Sequence, residues 1–144
     1  MLDAVKSLAR TETARQFLRF GLIGTGGFVV DTSVLYFVMG VVGLDHYSGR
    51  AASWFVAATF TWAMNRRFTF ADTRPPFRQW IAFLAANAFG GAVNYAVYAT
   101  LVTFVDAVAQ TPVLGVAAGS IAGLFFNFTA SKLVVFRRTR PSAI

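Results

Sequence analysis

Four long apolar segments alternate with short charged connections, and this pattern restricts the chain to folds that cross a membrane. The segments cover about residues 20–42, 51–68, 81–105 and 112–135. At about 1.5 Å per helical residue each can cross a hydrocarbon core roughly 30 Å thick, although the second does so only by including the arginines near its end. Barrel strands are not expected, because the segments lack an alternation of polar and apolar residues. We therefore predict an all-α integral membrane protein with four transmembrane helices.

The basic residues predict which ends of these helices face the cytoplasm. Apart from Arg50, the lysines and arginines lie before the first segment, from the end of the second to the start of the third, or from the end of the fourth onward: Lys6, Arg10, Arg15, Arg19, Arg66, Arg67, Arg74, Arg78, Lys132, Arg137, Arg138 and Arg140. Cytoplasmic loops are enriched in such residues, so we expect both termini in the cytoplasm. The predicted organisation is a cytoplasmic N-terminal segment (1–19), a transmembrane domain (20–136) and a cytoplasmic tail (137–144). The net charge of +7 is attributed to topology and anionic membrane lipids, and no nucleic acid is expected.

The chain contains a weak internal repeat of one helical hairpin, covering about residues 15–70 and 78–136. A shift of 63 residues overlays "RQFLRF" on "RQWIAF" and brings Gly27 onto Gly90 and Asp31 onto Asn94. A shift of 66 residues then overlays the ends of the second and fourth segments, pairing Phe60 with Phe126, Arg66 with Lys132 and Phe70 with Phe136. Because each copy crosses the membrane twice, the two hairpins should have the same orientation, related by an axis along the membrane normal.

Small residues recur every fourth position in two of the segments. Gly115, Gly119 and Gly123 lead to Asn127 in the fourth segment, and Ser53, Ala57 and Thr61 lead to Asn65 in the second. Faces of this kind let helix backbones approach closely, so we assign the three glycines to helix packing. The same glycine face is a candidate contact between protomers, and we expect a homo-oligomer because four helices enclose little volume.

Asp31 lies near the middle of the first segment, where an ionised carboxylate costs about 2.5–3.5 kcal/mol on insertion scales. It must therefore face protein or water, or be protonated. Gly24 and Gly27 share its helix face and leave room for another backbone or a head group. Asn87 and Asn94 form the corresponding stripe in the third segment. These residues either line one polar cavity, together with Asn65 and Asn127, or hold the helices together by hydrogen bonds.

Cations gather at the predicted cytoplasmic boundary of the segments. Arg66 and Arg67 end the second segment, Lys132 occupies the equivalent place in the second repeat, and Arg19 precedes the first segment. A guanidinium at this depth can simply extend to water. Alternatively, its planar fork can bond the oxygens of a lipid phosphate. Both interpretations remain open at this stage.

The sequence contains no recognisable catalytic or metal-binding constellation. It has no cysteine and a single histidine, His46, so thiol chemistry and a cluster of histidine ligands are excluded. We expect no enzyme activity, no cofactor and no metal.

The segment "RFGLIGTGGFVVDTSVLYF" and the ending "NRRFTF" at residues 65–70 resemble the GtrA-like family of small membrane proteins. Arg19 and Phe20 match the family's arginine–phenylalanine pair, Asp31 matches its first-span aspartate, and residues 65–70 match its asparagine–arginine–aromatic ending. Members often carry tryptophan where this chain has Phe68. The resemblance covers about residues 15–136.

This resemblance implies a part in cell-envelope polysaccharide glycosylation at the bacterial cytoplasmic (inner) membrane. Family members are thought to flip polyprenyl-phosphate-linked sugars, such as undecaprenyl-phosphate glucose, to the outer leaflet, where a partner membrane glycosyltransferase uses them for acceptors such as lipopolysaccharide. A non-transporting scaffold for such a transferase is the main alternative. A small multidrug exporter is another, but those proteins use a membrane-embedded glutamate, whereas the only glutamate here is Glu12.

Overall fold

The computed structural model describes residues 2–136, and every regular element in that part of the chain is helical. The helices are α1 (Leu2–Phe37), α2 (His46–Met64), α3 (Pro76–Phe104), the short α4 (Asp106–Gln110) and α5 (Pro112–Ala130). A single π-helical turn directly follows three of them, at Val38–Val42, Asn65–Thr69 and Ser131–Val135. Because α1 is unbroken at residue 20, the predicted N-terminal segment and first span form one helix. The predicted tail at 137–144 lies outside the described residues.

Three helical stretches are long and apolar enough to cross a membrane, which supports a multi-pass membrane protein. They are Lys6–Val42, Pro76–Phe104 and Pro112–Val135. The second predicted segment does not reach this standard, because its apolar stretch between Arg50 and Asn65 is short. The fourth crossing therefore remains a prediction, and so does the orientation of the termini.

The four long helices form an antiparallel bundle in which each packs against two neighbours. Two contacts for each pair show that neighbouring helices run in opposite directions. They are Gly27 with Thr61 and Leu35 with Gly49 between α1 and α2, Trp80 with Thr59 and Thr103 with Tyr47 between α3 and α2, and Gly90 with Asn127 and Tyr98 with Gly115 between α3 and α5. For α1 and α5 with its π-helical turn they are Phe17 with Phe125 and Thr13 with Lys132. One end each of α2, α3 and α5 and the middle of α1 thus come together around Arg19, Arg66 and Lys132. We call this the basic end.

Two apolar clusters close the bundle above and below its middle. Near the end opposite the basic end, α1, α3, α4 and α5 bury Leu35, Tyr98, Val102, Val108 and Val116. At the basic end a second cluster buries Phe83, Val135 and Phe136. The polar residues discussed below lie between the two clusters.

The helix bounds follow the same offsets as the internal repeat of the sequence. α2 and α5 start at residues 46 and 112, and the π-helical turns behind them start at residues 65 and 131, an offset of 66 in both cases. Each turn ends at a phenylalanine whose N–H bonds to the first carbonyl of that turn. The rings of these residues, Phe70 and Phe136, stack with centroids 4.4 Å apart and an interplanar angle of 10°. The two hairpins therefore meet through equivalent residues.

We expect this stack to contribute about 0.5–1.5 kcal/mol beyond the burial of the two rings. A double-mutant cycle with Phe70→Leu and Phe136→Leu, followed by reversible unfolding in mixed micelles, measures that coupling directly. Additive effects of the two substitutions would contradict a specific ring interaction. The pair Phe89→Leu and Phe126→Leu, whose edge-to-face contact lies elsewhere at 5.5 Å, is a control for the general loss of aromatic area.

Candidate functional site

A cavity of about 350 Å³ lies inside the bundle and is lined by residues of α1, α2, α3 and α5. Most of its wall is apolar, which is usual for a ligand-binding cavity. Its polar lining includes every residue that the sequence analysis assigned to a polar path: Asp31, Asn65, Asn87, Asn94 and Asn127. The structure thus brings side chains from α1, α3, α5 and the π-helical turn after α2 to one space.

Asp31 forms an ion pair with Arg50 at the end of the cavity that is remote from the basic end. The Nη1 atom of Arg50 donates to the Asp31 carboxylate at 2.5 Å and to the Ser53 hydroxyl at 3.2 Å, while Nη2 donates to the Asn94 side-chain oxygen at 2.6 Å. The guanidinium also lies 5.4 Å from the centre of the Tyr98 ring. Arg50 is 0% exposed, so one cation joins the two repeat-equivalent positions, Asp31 and Asn94, inside the protein.

The position of Arg50 differs from the sequence analysis, which placed it in a connection outside the membrane. α2 begins at His46, so Arg50 lies within the helix rather than before it. The helix starts there because the Asp45 carboxylate accepts hydrogen bonds from the N–H groups of Tyr47 and Ser48 at 2.8 Å. The Ser48 N–H also lowers the pKa of Asp45, which keeps this carboxylate charged beside the positive end of the helix dipole.

Two signals in the sequence could have revealed this ion pair. An aspartate followed by a polar stretch is a typical helix N-cap, which predicts a start at His46. A carboxylate within a membrane span also needs a partner. Arg50 is the only lysine or arginine in the two connections, 43–50 and 106–111, that were predicted to face away from the cytoplasm.

The asparagines of the cavity differ in how far the protein already satisfies them. Asn65 donates to the Thr61 carbonyl at 3.0 Å and accepts from the Thr69 hydroxyl at 2.7 Å. Asn87 donates to the Phe83 carbonyl and to the Ser131 hydroxyl. The side-chain oxygen of Asn127 is buried without a partner among the described residues. Burying an unpaired polar atom costs free energy. This oxygen lies so close to Gly90 that an added Cβ there would overlap it, so it would reach a hydroxyl group in the cavity only after the amide rotates.

Of the four cations assigned to a phosphate site, three donate hydrogen bonds to uncharged oxygens. Arg66 donates to the Gln79 side chain and to the Arg74 carbonyl, both at 2.5 Å, and Arg19 donates to the Phe68 carbonyl at 3.3 Å. Lys132 donates to the Thr13 hydroxyl at 2.7 Å. Arg67 is exposed and lies 5.4 Å from the centre of the Phe68 ring. The four cations thus share one end of the bundle, but none of these contacts joins two of them to a common acceptor.

The glycine face of α5 packs against α3 within the same chain. A Cβ atom on Gly119 would lie 2.7 Å from the Asn94 carbonyl oxygen, and one on Gly115 would lie 2.8 Å from the Tyr98 ring. Gly123 approaches the Gly90 carbonyl. This face is therefore occupied inside the protomer, and a homo-oligomer would need another surface than the sequence analysis suggested.

The titratable residues offer no metal centre in the part of the chain that is described. Between residues 2 and 136, His, Asp and Glu side chains nowhere form a group of three or more that could hold a metal ion.

Comparison with known proteins gives one match. The family model described as GtrA/DPMS, transmembrane domain, matches residues 19–142. Comparison with curated proteins and with solved structures gives no match.

Proposed function

Because this chain belongs to the GtrA/DPMS transmembrane-domain family, we propose that it moves a polyprenyl-phosphate-linked monosaccharide, such as undecaprenyl-phosphate glucose, across the bacterial cytoplasmic membrane. Membership indicates a membrane function related to polyprenyl-phosphate sugars, and members are generally non-catalytic. The direction of movement, the sugar and the lipid are parts of our proposal.

The observation that supports the proposal is a largely apolar cavity into which Asp31 and four asparagines project, inside a bundle with cations at one end. Asp31, Asn94 and Asn127 offer oxygen atoms and amide groups that can replace water around the hydroxyl groups of a sugar. The apolar remainder of the wall suits the hydrophobic faces of a sugar ring. A sugar lipid needs this combination, because its polar head must pass a region where unpaired polar groups are costly.

The basic end suits the phosphate of the same ligand. Arg66 and Arg67 carry planar, permanently charged groups that can bond phosphate oxygens in pairs, and Lys132 and Arg19 add charge at the same end. The direct hydrogen-bond partners of Arg66 are neutral, and its acidic neighbour Asp72 is itself paired with Arg74. In our proposal these residues capture the phosphate, and the sugar then enters the cavity toward Asp31.

Removal of Arg66 tests the capture step. In proteoliposomes that contain a short-chain polyprenyl-phosphate glucose, we expect wild-type protein to speed the appearance of the sugar lipid in the opposite leaflet. Arg66→Ala should slow this about ten- to a hundred-fold, since a hydrogen bond to a charged group contributes about 1.5–3 kcal/mol. Arg78→Ala is the matched control, because it removes the same charge from an exposed position at the same end.

Equal slowing by the two substitutions would attribute the effect to general charge rather than to a phosphate site. If wild-type protein matched empty liposomes with several sugar lipids, yet still purified together with a membrane glycosyltransferase, the scaffold function would replace transport. The multidrug exporter is disfavoured by the ion pair, because Arg50 already neutralises the carboxylate that would bind a cationic drug.

A further inference from the structure

The seam between α1 and α5 is closed by ring contacts near the basic end and, at the other end of the bundle, by the buried cluster that contains Leu35 and Val116. Ring contacts join Phe17 and Phe20 of α1 to Phe125 and Phe128 of α5. Beyond them, Gly21 and Gly24 line the cavity, and no atom lies within 4 Å of the point where a Cβ on either would stand.

Ile121 of α5 shows that this open seam reaches the surface of the bundle. Its side chain lines the cavity, yet it is 72% exposed. Thr25 of α1 likewise lines the cavity and is exposed. The same residues therefore border both the cavity and the lipid-facing side of the protein, so the cavity opens sideways between α1 and α5.

The internal repeat supplies a second seam, between α2 and α3, for comparison. Near the basic end the two seams are closed by equivalent pairs, since Thr59 and Trp80 correspond to Phe125 and Phe17 at the shifts of 66 and 63 residues. Farther along, the indole of Trp54 fills the α2–α3 seam so closely that a Cβ on Gly91 would lie 2.5 Å from it.

The residue in α5 that corresponds to Trp54 is Ser120, which lines the cavity. Arg50, which joins α2 to Asn94 of α3, corresponds to Val116, which cannot form such a bond. The opposing residues differ as well, since Gly91 of α3 corresponds to Phe28 of α1. The α2–α3 seam thus has the pair Trp54 and Gly91, whereas the α1–α5 seam has Ser120 and Phe28 at the same positions. The opening is a property of one side of the bundle only.

We propose that the α1–α5 seam is a slot that holds the isoprenoid chain of the sugar lipid, while the phosphate and sugar occupy the cavity. This rests on the proposed function and deepens it, because it assigns a binding surface to the apolar part of the ligand. The rim of the slot is apolar, with Phe20, Phe28, Ile121 and Leu124. A long hydrocarbon chain that stays in the bilayer avoids contact with polar groups along its whole length, whereas its head needs the polar interior.

A photo-crosslinking experiment tests the slot. Ile121 is replaced by p-benzoylphenylalanine in the full chain, and Val29, which is also exposed on α1 at 58% but does not line the cavity, is replaced in the control protein. Each protein is placed in phosphatidylcholine vesicles with a labelled farnesyl phosphate and irradiated. We expect several-fold more label at position 121 than at position 29, and loss of that excess when unlabelled farnesyl phosphate is added.

A second variant is designed to fill the slot with a tryptophan, the residue type that fills the α2–α3 seam. Ser120→Trp places this residue type in α5. Because Phe28 lies where the α2–α3 seam has Gly91, the indole must occupy the slot itself, and we expect it to remove most of the labelling at position 121. Equal labelling at positions 121 and 29, or labelling that unlabelled farnesyl phosphate does not reduce, would overturn the slot. Competition by excess diacyl phosphatidic acid as strong as that by farnesyl phosphate would also overturn it, since the site would then bind phospholipid phosphate.

Labelling does not depend on transport, so the two proposals can fail separately. Competed labelling at position 121 in a protein that does not speed translocation would retain the slot and refute transport. Translocation without preferential labelling would retain transport and refute the slot.

Discussion

Replacing Arg50 with methionine alone is expected to lower the free energy of unfolding by about 3–5 kcal/mol. The substitution keeps an unbranched side chain of moderate length but removes the cation. It leaves Asp31, which is 4% exposed, without its charged partner. A buried carboxylate without compensation is costly in any protein and especially in one surrounded by lipid. Reversible unfolding in mixed micelles, followed by tryptophan fluorescence, measures the loss.

The double variant Asp31→Leu with Arg50→Met is expected to recover most of this stability, because it removes both charges together. Buried ion pairs replaced by apolar residues of similar volume are often neutral or stabilising. Part of the loss should remain, since Asn94 no longer receives its bond from Arg50. Arg67→Met, at an exposed arginine, should change stability by no more than about 0.5 kcal/mol. A single variant as stable as the double variant would show that the two charges are not coupled.

Gly24→Leu is expected to abolish translocation without loss of stability, whereas Gly119→Leu is expected to lower the stability of the protein. Gly24 faces the cavity with no atom within 4 Å of its missing Cβ. We expect Gly24→Leu to fill this space, to abolish the acceleration of sugar-lipid translocation and to leave stability unchanged or raised by about 1 kcal/mol through helix propensity. Gly119→Leu instead places a side chain against the Asn94 backbone, so that α3 and α5 must separate. Overpacking of this kind costs about 1–3 kcal/mol or more.

The same two variants provide each other's control, because both introduce leucine for glycine in a long helix of the bundle. Unfolding in mixed micelles and translocation in proteoliposomes are measured for both. If Gly24→Leu translocated the sugar lipid as fast as wild-type protein, the sugar would not pass through the cavity. Wild-type stability of the Gly119 variant would show that the α3–α5 contact can relax at little cost.

Local patterns in the sequence were sufficient to predict the helices and the repeat. Hydropathy depends on each residue's own transfer free energy, so the helical, membrane-spanning class follows from composition along the chain. The repeat is visible because equivalent residues, such as Phe70 and Phe136, terminate equivalent turns. The family resemblance rests on motifs of the same local kind, and the match over residues 19–142 confirms it.

The partners of individual side chains could not be predicted in the same way. Gly24 and Gly27 occupy the same helix face in the sequence, yet Gly27 packs against Thr61 and Gly24 faces open space. Which of two such glycines meets a neighbour depends on the separation and rotation of the next helix, which no local pattern encodes. The glycine face of α5 could equally have bound another protomer until the structure placed α3 against it.

The sequence by itself therefore determined that this is a helical membrane protein, that its hairpin is repeated along the chain, and that its cations concentrate toward one end. Each of these features depends only on residues that are close together in the sequence, and not on the packing of distant helices. Only the tertiary structure decided that Arg50 lies inside the bundle against Asp31, 19 residues earlier, and that one of two related seams is open. Those features depend on which atoms of separate helices come within bonding or van der Waals distance, and that is a property of packing.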